Sequence, residues 1–189
     1  MHSEFILEAK RQAVHIFVGS LIAVAFVLLR PIFGVLTILP LLLSLIFLYF
    51  APRIYPEHML VKPLLDHFER DNDKQTFPFK GAFYFNTGII LPLLLLPPRV
   101  AVSIVLILAI GDSFSTLIGK FYGKHRIGNK SLEGSIAFFL STLFVTLSIL
   151  PLEDGIMLSF AGTLIELFSP YNDNLSLPIG LTLLYLFVF

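Results

Sequence analysis

A short polar segment between two apolar runs is the part of this chain best suited to chemistry. It runs from Gly111 to Gly134, GDSFSTLIGKFYGKHRIGNKSLEG. Its charged residues are Asp112, Lys120, Lys124, Arg126, Lys130 and Glu133. Charged side chains near a bilayer are costly and by default indicate a functional site. The segment combines a carboxylate, several cations and a backbone that glycine makes flexible. This combination suits binding of a metal-bound polyphosphate better than binding of a protein partner.

Composition predicts a membrane protein. The 189 residues are 56% hydrophobic and only 14% charged, and the mean hydropathy is +0.87, far from the averages of soluble domains. The formal net charge is zero and no RNA-binding motif is present, so we expect no nucleic-acid partner. The absence of cysteine excludes thiolate catalysis and Cys-ligated zinc. We expect one integral membrane domain over residues 1–189.

Seven apolar segments predict an all-α, polytopic membrane protein with about seven transmembrane helices. They cover residues 13–29, 32–50, 82–96, 100–118, 135–150, 155–168 and 175–189. Several are shorter than the roughly 17–20 residues that a perpendicular span needs, so their flanks must extend them or the membrane must be thin there. No small-residue cleavage site precedes the first segment, which predicts a retained helix and not a removed signal peptide.

The positions of lysine and arginine predict the orientation. With a cytoplasmic N-terminus, the external loops contain only Arg30 and Arg99, and all other cations lie in cytoplasmic segments. This is the positive-inside pattern. We expect a multi-pass protein of a prokaryotic cell membrane or the endoplasmic reticulum, with its site facing the cytosol and its C-terminus outside.

Polar residues of distant segments fall at one depth in this topology. Arg11 and His15 lie one turn apart where the first helix begins, and Asn86 lies early in the third. Asp112 comes about two turns before the inner end of the fourth helix, and Glu166 lies near the inner end of the sixth. A single site in the inner leaflet accounts for all of them.

Each of these residues also has a structural interpretation. Asp112 can pair with a cation of a neighbouring helix, and His15 can be an interhelical hydrogen-bonding residue. The lysines of the 111–134 segment can be ordinary positive-inside anchors. Ser131 can be a helix N-cap, with Glu133 favourable in the first turn. Residues 172–174, Asn-Asp-Asn, can form an Asx turn before Pro178.

Residues 58–79 differ from the rest of the chain. Leu60, Leu64, Leu65 and Phe68 recur at helical spacing among charged residues. This pattern predicts an amphipathic helix in the inner interface, with a solvated linker helix as the alternative. The following DNDKQT sequence predicts a mobile polar loop.

Phosphoryl transfer fits these residues. It requires a metal ligand, cations on the phosphates and an oriented nucleophile, and little covalent help from the protein. Asp112 can hold magnesium, Lys120 and Lys124 can neutralise developing charge, and a second carboxylate can orient a hydroxyl. The signatures of P-loop proteins, protein kinases, serine hydrolases and zinc proteases are absent. The residues therefore predict a lipid-modifying phosphotransferase.

Four ordered motifs resemble the family of CTP-dependent lipid-alcohol kinases, which includes dolichol kinase, phytol kinase and the CTP-dependent diacylglycerol kinase. The main motif is GDSFSTLIGKFYGKH followed by NKSLEGS. RQAVH, KGAFYFNTG and ELFSPYNDNLSLP are similar to other parts of that family in the same order. The resemblance covers almost the whole chain and implies transfer of the γ-phosphate of CTP to a membrane lipid alcohol, with dolichol or another polyprenol favoured.

The resemblance also implies roles for individual residues around Mg²⁺, or another divalent cation, and CTP. The catalytic candidates are Asp112, Glu133 and Glu166. The candidates for nucleotide and phosphate binding are Lys120, Lys124, Lys130, Ser131 and Asn174. The metal candidates are Asp112 and Asp173, and the further candidates are Arg11, His15, Lys80 and Asn86.

Two other functions compete with this one. Phosphatidate cytidylyltransferases resemble the same segment but end it with Lys-Lys-Thr-Trp-Glu-Gly, whereas residues 130–134 here are Lys-Ser-Leu-Glu-Gly. The Asp173-Asn174-Leu175 sequence favours the kinases. A membrane transporter is the non-enzymatic alternative, but transporters place their sites near the midplane between internal repeats, and this chain has no visible repeat.

Overall fold

The computed structural model describes residues 2–169 and 172–188, with only the backbone for residues 2 and 3. The helices are α1 His2–Phe33, α2 Leu39–Ile54, α3 Val61–Phe68, α4 Asp71–Thr76, α5 Lys80–Leu95, α6 Pro98–Leu106, α7 Asp112–Tyr122, α8 Leu132–Leu147, α9 Leu152–Phe168 and α10 Asp173–Val188. A 3₁₀ segment, Gly34–Ile38, joins α1 to α2, and a π-helical segment, Ile107–Gly111, joins α6 to α7. Two short antiparallel strands, β1 Arg126–Ile127 and β2 Lys130–Ser131, form a hairpin before α8.

The expectation of an all-α architecture is confirmed, because each of the seven apolar segments is helical over its described part. Residue 189 of the last segment, and residues 170 and 171 of the ELFSPYNDNLSLP motif, lie outside the described residues. Two helical stretches are long and apolar enough to cross a membrane, Glu4–Ile54 and Pro98–Tyr122. Shorter apolar helices cover Lys80–Leu95, Leu132–Leu147 and Asp173–Val188. Seven spans and a cytoplasmic N-terminus stay predictions.

The centre of the bundle is α6 with the π-helical segment. Ala101, Ile104, Val105, Ile107 and Leu108 are all 0% exposed. Helices α1, α5, α8 and α10 pack around this centre. The outer surface is covered by large apolar side chains, which suits a bundle whose sides face lipid.

Two glycines let helices approach closely where they carry polar residues. A Cβ at Gly111 would lie 2.5 Å from Cγ2 of Thr142, so α8 packs directly against the start of α7. A Cβ at Gly88 would lie 2.0 Å from the carbonyl oxygen of Asn174, so α5 packs against the start of α10. These contacts fix the positions of Asp112 and Asn174 relative to the bundle.

The amphipathic region is divided into two helices. Helix α3 ends at Phe68 because Glu69 adopts an extended conformation, and DNDKQT then forms α4. The prediction of a mobile loop over DNDKQT is therefore wrong. Helix α3 packs against α1 and α2, with Val61 buried and Leu64 41% exposed.

Candidate active site

A cavity of about 700 Å³ lies where the polar ends of α1, α5, α7 and α10 meet. Seven of the residues singled out from the sequence line it: Arg11, His15, Lys80, Asn86, Asp112, Asp173 and Asn174. They come from four helices that are far apart in the chain, and the bundle brings them to one place. These seven residues therefore lie together as expected, and their role in a functional site stays a prediction.

Asp112 lies at the first position of α7, directly after the π-helical segment. Its Oδ2 is 3.9 Å from Nε2 of His15. Within the described residues no lysine or arginine is at ion-pairing distance, so the interpretation of Asp112 as half of an ordinary ion pair has no support. The carbonyl of Leu108 accepts the N–H of Asp112. The π-helical segment thus sets the position of Asp112, and π-bulges are frequent at functional sites.

Four buried polar atoms that face this cavity have no hydrogen-bond partner among the described residues. They are Nη1 of Arg11, Nε2 of His15, Oδ1 of Asp173 and Oδ1 of Asn174. Most buried polar atoms in proteins are paired, and an unpaired one requires an explanation. A cationic donor on one side and amide and carboxylate oxygens on the other suit a ligand that carries both anionic groups and a metal ion.

Glu166 of α9 joins α7, α8 and the hairpin next to the cavity. It is 0% exposed, and it accepts hydrogen bonds from Ser115 Oγ at 2.7 Å, Ser135 Oγ at 3.3 Å and Lys130 Nζ at 2.7 Å. Lys130 Nζ also bonds Asp173. Burial lowers the pKa of Lys130, but the carboxylates of Asp173 and Glu166 outweigh burial, and the net pKa is raised. Lys130 therefore stays charged and holds Asp173 in place.

Lys120 lies beside the cavity and pairs with the N-terminal helix. Its Nζ is 3.0 Å from Glu4 Oε1 and 3.3 Å from Glu8 Oε2. Glu8 is 3% exposed and also accepts from Arg70 at 2.7 Å. Sequence reasoning missed Glu8, although its position three residues before Arg11 places the two on one helix face.

Three further candidates from the sequence lie outside the cavity. Glu133 accepts the N–H of His125 at 3.2 Å and contacts its Nδ1 at 2.7 Å, which closes the hairpin. Ser131 is the N-cap of α8 and accepts the N–H of Gly134 at 3.1 Å, as its structural interpretation predicts. Lys124 is exposed on the hairpin. The Asx turn is also confirmed, because Asn172 Oδ1 accepts the N–H of Asn174 at 3.0 Å.

Glu69 fixes the start of α5 and was also missed from the sequence. It is 7% exposed and accepts the N–H of Phe79 at 2.9 Å. Phe79 has φ +59°, a conformation that non-glycine residues rarely adopt and that often marks functional sites. Burial raises the pKa of the Glu69 carboxyl. The hydrogen bond from Phe79 to Glu69 holds Lys80 against the cavity, and no local sequence signal identifies this contact.

The oxygen donors of the cavity fit a magnesium ion that arrives with a phosphate ligand. Among the described residues no three histidine, aspartate or glutamate side chains form a ready metal cluster. Magnesium, however, usually takes only one or two carboxylates and completes its shell with water and phosphate oxygens. Asp112, Asp173 and Asn174 supply two carboxylates and an amide oxygen in one cavity.

Fold and site together define an all-α protein with an apolar outer surface, which suggests a membrane protein, and with a polar cavity at one end of its bundle. The chain is 34% identical over 182 residues to an uncharacterized protein of Methanocaldococcus jannaschii, and the match covers 90% of this chain and 88% of that protein. The chain therefore belongs to the family of this archaeal protein. No family model matches the chain, and no solved structure matches it.

Other relatives have named activities, among them a dolichol kinase and a phytol kinase. The chain is 38% identical over 91 residues to the dolichol kinase of Schizosaccharomyces pombe, a match that covers 43% of this chain and 18% of the kinase. It is 34% identical over 94 residues to the phytol kinase of a Synechocystis species, covering 42% of this chain and 40% of that enzyme. The matched region is thus less than half of either kinase.

Proposed function

We propose that this protein is a kinase that transfers the γ-phosphate of CTP to the hydroxyl of a membrane lipid alcohol. The observation that carries the proposal is the cavity, where Arg11, His15, Asp173 and Asn174 each have a buried atom without a hydrogen-bond partner among the described residues, and which Asp112 also lines. Homology to a dolichol kinase and a phytol kinase supports the reaction class. Both named acceptors are isoprenoid alcohols, which favours dolichol or another polyprenol as substrate.

The reaction is an in-line displacement at phosphorus. The alcohol oxygen forms a bond to the γ-phosphorus while the bond from that phosphorus to the β–γ bridging oxygen breaks. CDP leaves with the electron pair, and the hydroxyl proton passes to the Asp112–His15 pair. The products are CDP and a lipid phosphate, so no further reactant is needed.

The residues divide into groups that contact substrate and groups that position others. Arg11 and Lys80 line the cavity and suit the phosphate oxygens. Asp112, Asp173 and the amide oxygen of Asn174 suit magnesium, which when bound neutralises phosphate charge. Lys130 and Glu166 lie outside the cavity lining, and Lys130 holds Asp173 in position while it pairs with Glu166.

The cations outside the cavity take secondary roles in this proposal. Lys120 is paired with Glu4 and Glu8, so it contacts a nucleotide only after exchanging those partners. Lys124 lies on the exposed hairpin and attracts the anionic nucleotide. Ser131 and Glu133 maintain the local structure of that hairpin. CTP as the donor is supported by the resemblance of the GDSFSTLIGKFYGKH and NKSLEGS motifs to the CTP-dependent lipid-alcohol kinases and by the dolichol kinase relatives.

The test is turnover by the purified protein in lipid nanodiscs with each of the four nucleoside triphosphates and a panel of lipid alcohols. We expect CDP only when both CTP and an isoprenoid alcohol are present, together with a divalent cation. Asp112→Asn, assayed in parallel, must remove this activity. Release of pyrophosphate with a CDP-lipid would overturn the proposal.

A further inference from the structure

The cavity has a second wall that is apolar. Its side chains are Val14 and Val18 of α1, Phe47 and Leu48 of α2, and Leu64 and Phe68 of α3. Four of them are substantially exposed although they line the cavity: Val14 40%, Val18 38%, Phe47 43% and Leu64 41%. We interpret this apolar, partly exposed wall as a lateral opening of the cavity. We call this opening the α1–α2 groove.

The α1–α2 groove lies between two helices that make few direct contacts with each other in their described parts. They are connected by the turn at Gly34, where φ is +55°, and α3 packs against both of them. The neighbouring outer surfaces of α1 and α2 are apolar, with Phe17 68% and Leu43 65% exposed. The groove is thus continuous with a surface that suits lipid chains.

The inner end of the groove meets His15. This residue lies between Val14 and Val18 on α1, and the ring of Phe85 packs edge-on against it with centroids 4.5 Å apart. Nε2 is buried, has no hydrogen-bond partner among the described residues, and belongs to a residue that lines the cavity. That nitrogen is a ready acceptor for a hydroxyl group, 3.9 Å from Asp112.

We propose that the α1–α2 groove holds the hydrocarbon chain of the acceptor and that the acceptor hydroxyl donates a hydrogen bond to His15 Nε2. The inference rests on the proposed kinase function and adds the location of the lipid site. Val14 and Val18 lie one turn apart on α1, and Phe47 and Leu48 of α2 line the same cavity. The relatives with named activities are a dolichol kinase and a phytol kinase, so the occupant is a single-chain isoprenoid alcohol and not a two-chain diacylglycerol.

Photolabelling tests the site without requiring catalysis. The wild-type protein in nanodiscs is irradiated with a diazirine-bearing isoprenoid alcohol in the absence of nucleotide, and the labelled peptides are mapped. We expect labelling on α1 and α2 around Val18 and Leu48 that unlabelled isoprenoid alcohol displaces and diacylglycerol does not. Labelling spread over the exposed faces of α8 and α9, or displacement by diacylglycerol alone, would overturn the site.

Matched variants connect the groove to turnover. Leu48→Trp fills the groove, whereas Leu43→Trp places the same side chain on the outer surface of α2. We expect Leu48→Trp to reduce specific labelling and to raise KM for the alcohol by about tenfold. KM for CTP should stay the same, and Leu43→Trp should change neither value. Equal effects of the two variants, or none from Leu48→Trp, would contradict the proposal.

His15 is tested by two substitutions that differ in hydrogen bonding. His15→Gln keeps an acceptor at this position and should retain most of the specific labelling, whereas His15→Phe should lose it. Equal labelling of both variants would contradict the hydrogen bond. Absence of turnover with every nucleotide, combined with displaceable labelling in the groove, would refute the kinase and leave the lipid site standing. Normal turnover with an unaltered KM in Leu48→Trp would refute the groove alone.

Discussion

Asp112 and His15 are the cavity residues whose polar side chains are hardest to explain by a structural role. Both line the cavity at the level of buried helices, and their closest atoms are 3.9 Å apart. Arg11, one turn before His15, has a buried guanidinium nitrogen without a hydrogen-bond partner among the described residues. Polar groups of this kind are costly unless a ligand uses them. Their placement thus supports a phosphoryl-transfer site.

We predict that Asp112→Asn lowers kcat by at least about a thousandfold, because the substitution removes the charge and keeps the shape. The thermal unfolding midpoint in detergent should stay close to the wild-type value. Glu153→Gln, at an exposed position at the start of α9, is the matched control and should keep full activity. Near-normal turnover of Asp112→Asn would remove this residue from the catalytic site.

Lys130→Met should destabilise the protein by about 3–5 kcal/mol, because it leaves the carboxylate of Glu166 buried without its cation. The double variant Lys130→Met/Glu166→Gln removes that charge as well and should recover part of the loss. Chemical unfolding in mild detergent measures both. If the single and double variants were equally stable, the buried pair would not have the structural role assigned to it.

At the scale of elements, the site depends on close contacts between helices and on one irregular turn. The π-helical segment Ile107–Gly111 sets the direction of Asp112 at the start of α7. Gly111 lets α8 pack closely against the start of α7, and Gly88 lets the start of α10 pack closely against α5. A change in either contact moves polar residues that are not themselves altered.

Gly88→Ala tests the contact between α5 and α10. Its Cβ would lie 2.0 Å from the carbonyl oxygen of Asn174, so the helices must separate, at a cost of about 1–3 kcal/mol. Activity should fall with stability because Asn174 and Asp173 shift. Gly81→Ala, on the same helix, meets only Arg11 Nη2 at 3.6 Å and should be tolerated. Equal stability of the two variants would contradict the packing described.

The helices could be predicted from sequence, and the irregular turns could not. Apolar runs longer than ordinary strands predict helices, and the seven predicted segments are helical over most of their described residues. The break at Glu69 has no local signal, since it depends on a hydrogen bond to Phe79 ten residues later. The π-helical segment also has no local sequence signal, because its apolar residues Ile107 and Leu108 fit an α-helix as well.

The candidate site could be predicted only in part. Helix geometry explains why some of the predicted residues line the cavity and others do not. Arg11 and His15 lie in the first half of α1, and Asp173 and Asn174 begin α10, and their positions relative to the apolar segments were enough to predict that they meet. Lys120 lies eight residues after Asp112, which at 100° per residue places it about 80° around α7. That rotation directs it to Glu8 on α1. Glu133 lies on the first turn of α8 and faces the hairpin.

At the scale of the whole molecule, the basic regions gather at the end of the bundle that contains the cavity. Arg70 and Lys120 meet Glu8 of α1 there, and Lys130 meets Glu166 and Asp173. A single polar end with apolar sides suits a protein that takes one substrate from the cytosol and another from the bilayer. The positive-inside pattern predicts which face of the membrane this end occupies.

Single cysteines test that topology, because the natural chain contains none. Lys124→Cys lies on the hairpin before α8, and Glu153→Cys lies after it, at the start of α9. We expect an impermeant maleimide to label Lys124→Cys only from the cytosolic side of oriented vesicles and Glu153→Cys only from the outside. Labelling of both from one side would show that α8 does not cross the membrane.

The most direct test of the account is the fate of each phosphorus atom of CTP. The protein is incubated in nanodiscs with a polyprenol and magnesium, in parallel with CTP labelled at the γ-phosphate and CTP labelled at the α-phosphate. The account predicts that the γ-label appears in a lipid monophosphate and that the α-label stays entirely in water-soluble CDP. Transfer of the α-label to the lipid, with release of pyrophosphate, would contradict it.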